Sequence, residues 1–83
     1  MATFLTAFSS THAALSFEAN FGNGARLVPV PPTVRAGCGM GLLFGAFNAA
    51  EAHQLVEALA EELGVASQVE GIYEKSGSSY ELA

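Results

Sequence analysis

One residue in this chain has a side chain suited to covalent chemistry: Cys38, the only cysteine among 83 residues. A cysteine attacks as its thiolate, so its acidity and its exposure decide whether it reacts. Arg35 lies three positions before it, and a nearby cation favours the thiolate. Gly37 and Gly39 flank it, which lets backbone amides converge on an anion. These neighbours predict a reactive thiol on a loop.

The surrounding segment, residues 26–41, favours a loop but leaves a structural explanation open. It contains all three prolines and two of the three basic residues, and no acidic residue occurs between Glu18 and Glu51. Pro31 and Pro32 stiffen the chain there, and prolines together with glycines are typical of loops. A lone cysteine is nonetheless more commonly a small buried apolar side chain. On the residues alone, an exposed thiolate and a structural cysteine both stay open.

Three further residues are candidates for anion binding. Ser10 and Thr11 lie at the start of a predicted helix, whose free amide groups attract anions, and Arg26 adds a positive charge. Helix capping explains the two hydroxyl residues adequately. His12 and His53 lack the paired spacing of metal ligands, so no metal site is predicted. The spacings offer no catalytic triad or carboxylate pair, and no cofactor is predicted.

Length and composition limit the class of protein. The chain is 51% hydrophobic and 13% charged, and so small a domain leaves apolar side chains exposed unless a partner covers them. We therefore expect a homodimer. A net charge of -5 with three Lys and Arg residues argues against nucleic-acid binding. The chain has no apolar run of membrane-spanning length and no basic, apolar leader at its start, so we expect a cytoplasmic location.

Hydrophobic spacing and turn residues predict the order β-α-β-β-α-β, which is typical of a ferredoxin-like α+β two-layer sandwich. The predicted strands span 3–8, 27–30, 40–47 and 68–74, and the predicted helices span 12–21 and 48–63. They form one domain over residues 1–75, followed by a flexible, serine- and glycine-rich tail over 76–83. A short helical turn between the second and third strands would give a related two-layer arrangement instead.

The predicted third strand, residues 40–47, is apolar on both faces. Leu42 and Phe44 form one face, and Leu43 and Phe47 form the other. A strand of this kind is covered on both sides, but the two predicted helices suffice for one layer. A second subunit is therefore the expected cover of the other face, which also favours a homodimer.

Four segments give the chain a resemblance to a known family. They are F-S-S-T-H-A-A-L at 8–15, R-L-V-P-V-P at 26–31, C-G-M-G-L-L-F at 38–44 and E-G-I-Y at 70–73. Together they resemble the Se/S carrier protein-like family, which consists of small bacterial domains of otherwise unknown function. The resemblance covers nearly the whole chain. Its most specific part is the proline pair followed, several residues later, by Cys-Gly.

Family members commonly have a basic residue directly after the second proline and serines before the cysteine. This chain instead has Ala36 and Gly37 before Cys38, with Arg35 as the nearby cation. Activation of the thiol by a serine is therefore not carried over to this chain.

The resemblance implies a non-catalytic carrier in which Cys38 holds sulfur or selenium as a persulfide or selenosulfide. Arg35, Gly37 and Gly39 would support the bound anion. The partners would be a donor, such as a cysteine desulfurase or selenocysteine lyase, and an acceptor enzyme. With no second cysteine, internal disulfide redox chemistry is not expected.

Two other classes of function stay open beside the carrier. One is a ferredoxin-like regulatory or assembly module that dimerises and in which Cys38 is structural. The other is an enzyme with Cys38 as its nucleophile, although no base for such an enzyme is recognisable in the sequence.

Overall fold

The computed structural model describes residues 1–22, 24–34, 37 and 39–83. The described residues form an α+β fold with two helices and one antiparallel sheet of five strands, which confirms the predicted class. The strands are β1 (Ala2–Phe8), β2 (Arg26–Pro29), β3 (Met40–Ala46), β4 (Val69–Ser76) and β5 (Ser79–Leu82). The helices are α1 (Thr11–Phe21) and α2 (Ala49–Leu63), and a single 3-10 turn (Ala66–Gln68) precedes β4.

The strands lie in the order β2-β3-β1-β4-β5, and every neighbouring pair is antiparallel. At the centre, Leu5 of β1 pairs with Leu43 of β3 on one side and with Tyr73 of β4 on the other. β2 is an edge strand, a position compatible with Pro29, because proline has no amide proton to donate to a second neighbour. The predicted succession of elements is present as far as β4.

Local chemistry sets the two ends of α2. Asn48 caps its first turn by accepting a hydrogen bond from the Glu51 amide at 2.8 Å, and the Glu51 carboxylate accepts the Phe47 amide proton at 2.8 Å. Gly64 ends the helix in the left-handed conformation at φ 72°, and its amide is directed at the carbonyl of Ala60. Phe47, expected on the second face of β3, instead lies between β3 and α2 and is 72% exposed.

The main core lies between the sheet and the two helices. Its largest fully buried residues are Phe4, Phe8, Phe17, Leu42 and Val56. The rings of Phe8 and Phe17 join β1 to α1 with their centroids 4.9 Å apart. Thr6 is also fully buried on this side, and its hydroxyl oxygen has no hydrogen-bond partner among the described residues.

The opposite face of the sheet is covered at its centre by the chain itself. Leu5 and Ala7 are fully buried there, and Val34, from the segment after β2, packs against them with 5% of its surface exposed. Tyr73 and Tyr80 add partial cover. The sequence predicted a second subunit over this face. The proline-containing segment folds back and buries the central residues without one.

The C-terminal segment adds a strand to the sheet. Residues 76–83 were predicted as a flexible tail outside a 1–75 domain, whereas Ser79–Leu82 pairs with β4 as β5. Gly77, at φ 62°, permits the tight turn between the two strands. The Ser79 hydroxyl donates to the Ser76 carbonyl at 2.9 Å across that turn. The serines and glycine therefore form a hairpin turn, and the flexibility of the segment stays a prediction.

Candidate functional site: the cysteine loop

The loop that contains the cysteine, residues 30–39, is closed at its base by the β2–β3 ladder. The Val30 amide donates to the Gly39 carbonyl at 2.9 Å, directly beyond the last paired residues of the two strands. A tight turn follows, because the Val34 amide donates to the Pro31 carbonyl at 2.9 Å. Val34 then anchors the loop in the smaller core described above. The first half of the loop is therefore held firmly on the sheet.

Both neighbours of the cysteine are glycines for a structural reason. A Cβ on Gly37 would lie 2.9 Å from the carbonyl oxygen of Ser9, too close for any side chain. Gly39 has open space around it but adopts φ 74°, which other residues resist. Both glycines are exposed. Cys38, the predicted carrier residue, and Arg35, its predicted supporting cation, lie outside the described residues.

Glu70 of β4 is a neighbour of the cysteine loop that the sequence does not predict. Its carboxylate accepts a hydrogen bond from the Gly37 amide at 2.7 Å, although 33 positions separate the two residues. The sequence suggested a segment free of carboxylates, and this acidic group reaches the loop from another strand. The carboxylate therefore places a negative charge at the residue that precedes Cys38 in the chain. The strand register is the only feature that brings Glu70 here, and no local motif predicts it.

A small polar cluster supports this end of the sheet, where β1 ends and β4 begins. The Ser9 amide donates to the backbone carbonyl of Gln68 at 2.9 Å. The Ser10 hydroxyl donates to the side-chain oxygen of Gln68 and accepts the Ala13 amide proton at 3.2 Å. Ser10 is thereby the N-cap of α1. The cluster fixes the position of Ser9, against which Gly37 packs.

The three residues predicted to bind an anion do not come together. Ser10 and exposed Thr11 begin α1 at the end of β1. Arg26 begins β2 and pairs with Leu43, which itself pairs with Leu5. Ser10 is five residues beyond Leu5, so Arg26 is separated from the helix start by roughly 16 Å along the strands. Capping accounts for Ser10, and anion binding stays a prediction.

The two histidines occupy unrelated positions. His12 is exposed in the first turn of α1. His53 of α2 lies 3.3 Å from the Glu57 carboxylate and 3.1 Å from the Ala83 carbonyl oxygen. Among the described residues, no three His, Cys, Asp or Glu side chains are grouped so that they could hold a metal ion. No helix among the described residues has the length and apolar character needed to cross a membrane.

Comparison with known proteins gives one match. The model of the family described as Putative Se/S carrier protein-like matches residues 3–74, which run from the second residue of β1 to most of β4 and include the whole cysteine loop. No curated protein and no solved structure matches the chain. The matched range spans well over half of the 83 residues and confirms the resemblance found in the sequence. The chain therefore belongs to this Se/S carrier protein-like family.

Proposed function

We propose that the protein is a non-catalytic carrier that holds one sulfur or selenium atom on Cys38 and delivers it to an acceptor enzyme. The observation that carries the proposal is the way in which the neighbours of the only cysteine are held. Gly37 packs against the Ser9 backbone, Gly39 closes the loop with Val30, and both glycines are exposed. The exposure of these two glycines leaves this part of the loop open to contact with another protein. Family membership supports the same function.

The proposed loading step is an exchange at sulfur. The Cys38 thiolate attacks the terminal sulfur of a donor persulfide, R–S–SH; a new S–S bond forms while the donor's S–S bond breaks. The products are a Cys38 persulfide and the donor thiolate, R–S⁻. In unloading, a nucleophile of the acceptor takes the terminal sulfur, and Cys38 leaves as the thiolate. Selenium in the terminal position follows the same steps to a selenosulfide. Neither step requires a second cysteine or an added oxidant.

The experiment that tests this function is intact-mass analysis of the chain after incubation with a cysteine desulfurase and free cysteine. We expect the mass of the chain to increase by one sulfur atom, and the increase to disappear on treatment with a reducing thiol. Cys38→Ala should show no increase, while Cys38→Ser tests whether an oxygen nucleophile can substitute. A wild-type chain that gains no sulfur from the desulfurase, or from a selenocysteine lyase supplied with selenocysteine, would refute the carrier function. We place this chemistry in the cytoplasm, where thiols stay reduced.

An assembly module is the second candidate, and the free edge of β5 favours it. β5 ends the sheet and has an exposed Leu82 at 76%, and an unpaired strand edge can add the same edge of a second copy. The order β2-β3-β1-β4 with helices α1 and α2 as crossovers supports a ferredoxin-like arrangement, extended here by β5. In this function the homodimer is the active form and Cys38→Ser preserves it. Sedimentation of wild type and Cys38→Ser would separate the candidates. A stable dimer that forms equally well in both proteins, while the wild type takes up no sulfur, supports assembly.

A further inference from the structure

An open groove of about 720 Å³ lies between α2 and the β4–β5 side of the sheet. Its floor is apolar and consists of core residues, namely Val56, Ala60 and Ile72, with half-buried Val69 beside them. A volume of this size is within the range of pockets that bind ligands or several side chains of a peptide. The groove therefore gives a partner access to residues of the main core.

The rim of the groove is acidic. Glu57 and Glu61 lie one helical turn apart on α2, and Glu70 of β4 lines the same groove; all three are exposed. None of the described residues that line the groove is Lys or Arg, and the one basic side chain among them is the His53 imidazole, 3.3 Å from the Glu57 carboxylate. Carboxylates at this helical spacing repel each other. A cation bound between them would relieve that repulsion.

We propose that this groove docks a segment of a partner protein in which apolar side chains lie between Lys or Arg residues. The apolar side chains are removed from water on the floor formed by Val56, Ala60 and Ile72. The flanking cations meet the carboxylates of the rim, which selects basic segments over acidic ones and speeds their association. Nucleic acid and acidic peptides are repelled by the same charges.

The groove adjoins the cysteine loop through one side chain. Glu70 lines the groove and also accepts the Gly37 amide proton at 2.7 Å. A partner seated in the groove therefore lies beside the residue that precedes Cys38. The identification of this partner as the sulfur donor or acceptor rests on the proposed carrier function, whereas the docking itself does not.

The experiment uses two fluorescein-labelled synthetic peptides of equal length with the full chain. One alternates leucine with lysine, and the other alternates leucine with glutamate. We expect the leucine–lysine peptide to bind in fluorescence anisotropy, more weakly as salt is added, and the leucine–glutamate peptide not to bind. In NMR spectra of the labelled protein, the amides of Glu57, Glu61 and residues 69–72 should shift on binding.

Two pairs of variants separate the groove from a general acidic surface. Glu57→Lys with Glu61→Lys should weaken binding about tenfold. The matched control, Glu18→Lys with Glu62→Lys, makes the same change in net charge at exposed helix positions that do not line the groove. For shape, A66W fills the groove from an exposed lining position without a change in charge, and A19W places the same ring on an exposed part of α1. Circular dichroism verifies that each variant is folded.

Binding that the groove variants abolish and the control variants retain confirms the proposal. Equal loss in the control charge variant, equal binding of both peptides, or amide shifts confined to other surfaces would overturn it. A dimer in which a second copy already protects these amides from the peptide would overturn it as well. Cys38→Ala separates this inference from the carrier function, because it should bind the leucine–lysine peptide as wild type does while taking up no sulfur.

Discussion

Substitution of Gly37 by alanine tests whether the cysteine loop is held by close backbone packing. A Cβ there would lie 2.9 Å from the Ser9 carbonyl oxygen, 3.1 Å from its Cα and 3.3 Å from its carbonyl carbon. All three are backbone atoms, so no side chain can rotate away to make room. If the loop stays in place, overpacking costs about 1–3 kcal/mol. If it moves away, the hydrogen bond to the Glu70 carboxylate is lost, which costs about 1 kcal/mol because both groups are exposed to water.

Both responses predict a loss of about 1–3 kcal/mol in the free energy of unfolding. Urea unfolding followed by circular dichroism measures the loss, and hydrogen exchange at the residue 37 amide distinguishes the two responses. Slow exchange indicates a strained loop that stays in place, and fast exchange indicates a displaced one. A variant within about 0.5 kcal/mol of wild type, with its amide still protected, would show that the loop does not contact Ser9 as described.

Three further substitutions test single features of the fold and the site. Glu70→Gln keeps an acceptor oxygen for Gly37 but removes the charge, so Cys38 should react with iodoacetamide about two- to threefold faster at neutral pH. The same alkylation rate in Glu70→Gln and wild type at each pH would contradict this. Thr6→Val replaces a buried hydroxyl that has no partner among the described residues by a methyl group, and should stabilise the protein by about 1 kcal/mol in urea unfolding. A loss of stability instead would mean that the hydroxyl is bonded. Gly39→Asn should cost about 1 kcal/mol less than Gly39→Ala, because asparagine tolerates the left-handed conformation that φ 74° requires; equal costs would argue against strain at this position.

Local sequence was sufficient to predict the parts of the fold that local chemistry controls. The helix predicted over 48–63 is present as α2, because the side-chain acceptor of Asn48 and the left-handed Gly64 set its two ends, each within one turn. Pro29 likewise favours the edge position of β2, because it lacks an amide proton. Of the two glycines around Cys38, Gly39 has the special backbone geometry that the sequence indicated, and Gly37 does not. The sequence did not reveal that Gly37 is required by contact and Gly39 by its dihedral angle.

The features of the fold and site that the sequence could not predict depend on pairing between segments that are far apart in the chain. Glu70 reaches Gly37 only because β1 and β4 pair in one register, with an irregularity at Ala7 and Phe8. The same limit applies to β5: the short Ser79–Leu82 segment is a strand because β4 provides its partner. Cover of the second face by Val34 also depends on how the loop folds back. In each case the residues carry no local pattern, and the neighbouring strand or loop determines their structure.

The carboxylate of Glu70 adds a negative charge to the cysteine loop, whereas the charged residues within 26–41 are both basic. We predict that this charge keeps Cys38 less nucleophilic and less readily oxidised while the protein is alone, because a nearby carboxylate disfavours a thiolate. A basic segment docked in the groove would bring a cation next to Glu70 and cancel this effect. The leucine–lysine peptide should therefore accelerate alkylation of Cys38 in the wild type and have little effect in Glu70→Gln. Acceleration that persists in Glu70→Gln would show that docking acts on the thiol by another route, and no acceleration in the wild type would disconnect the groove from the loop.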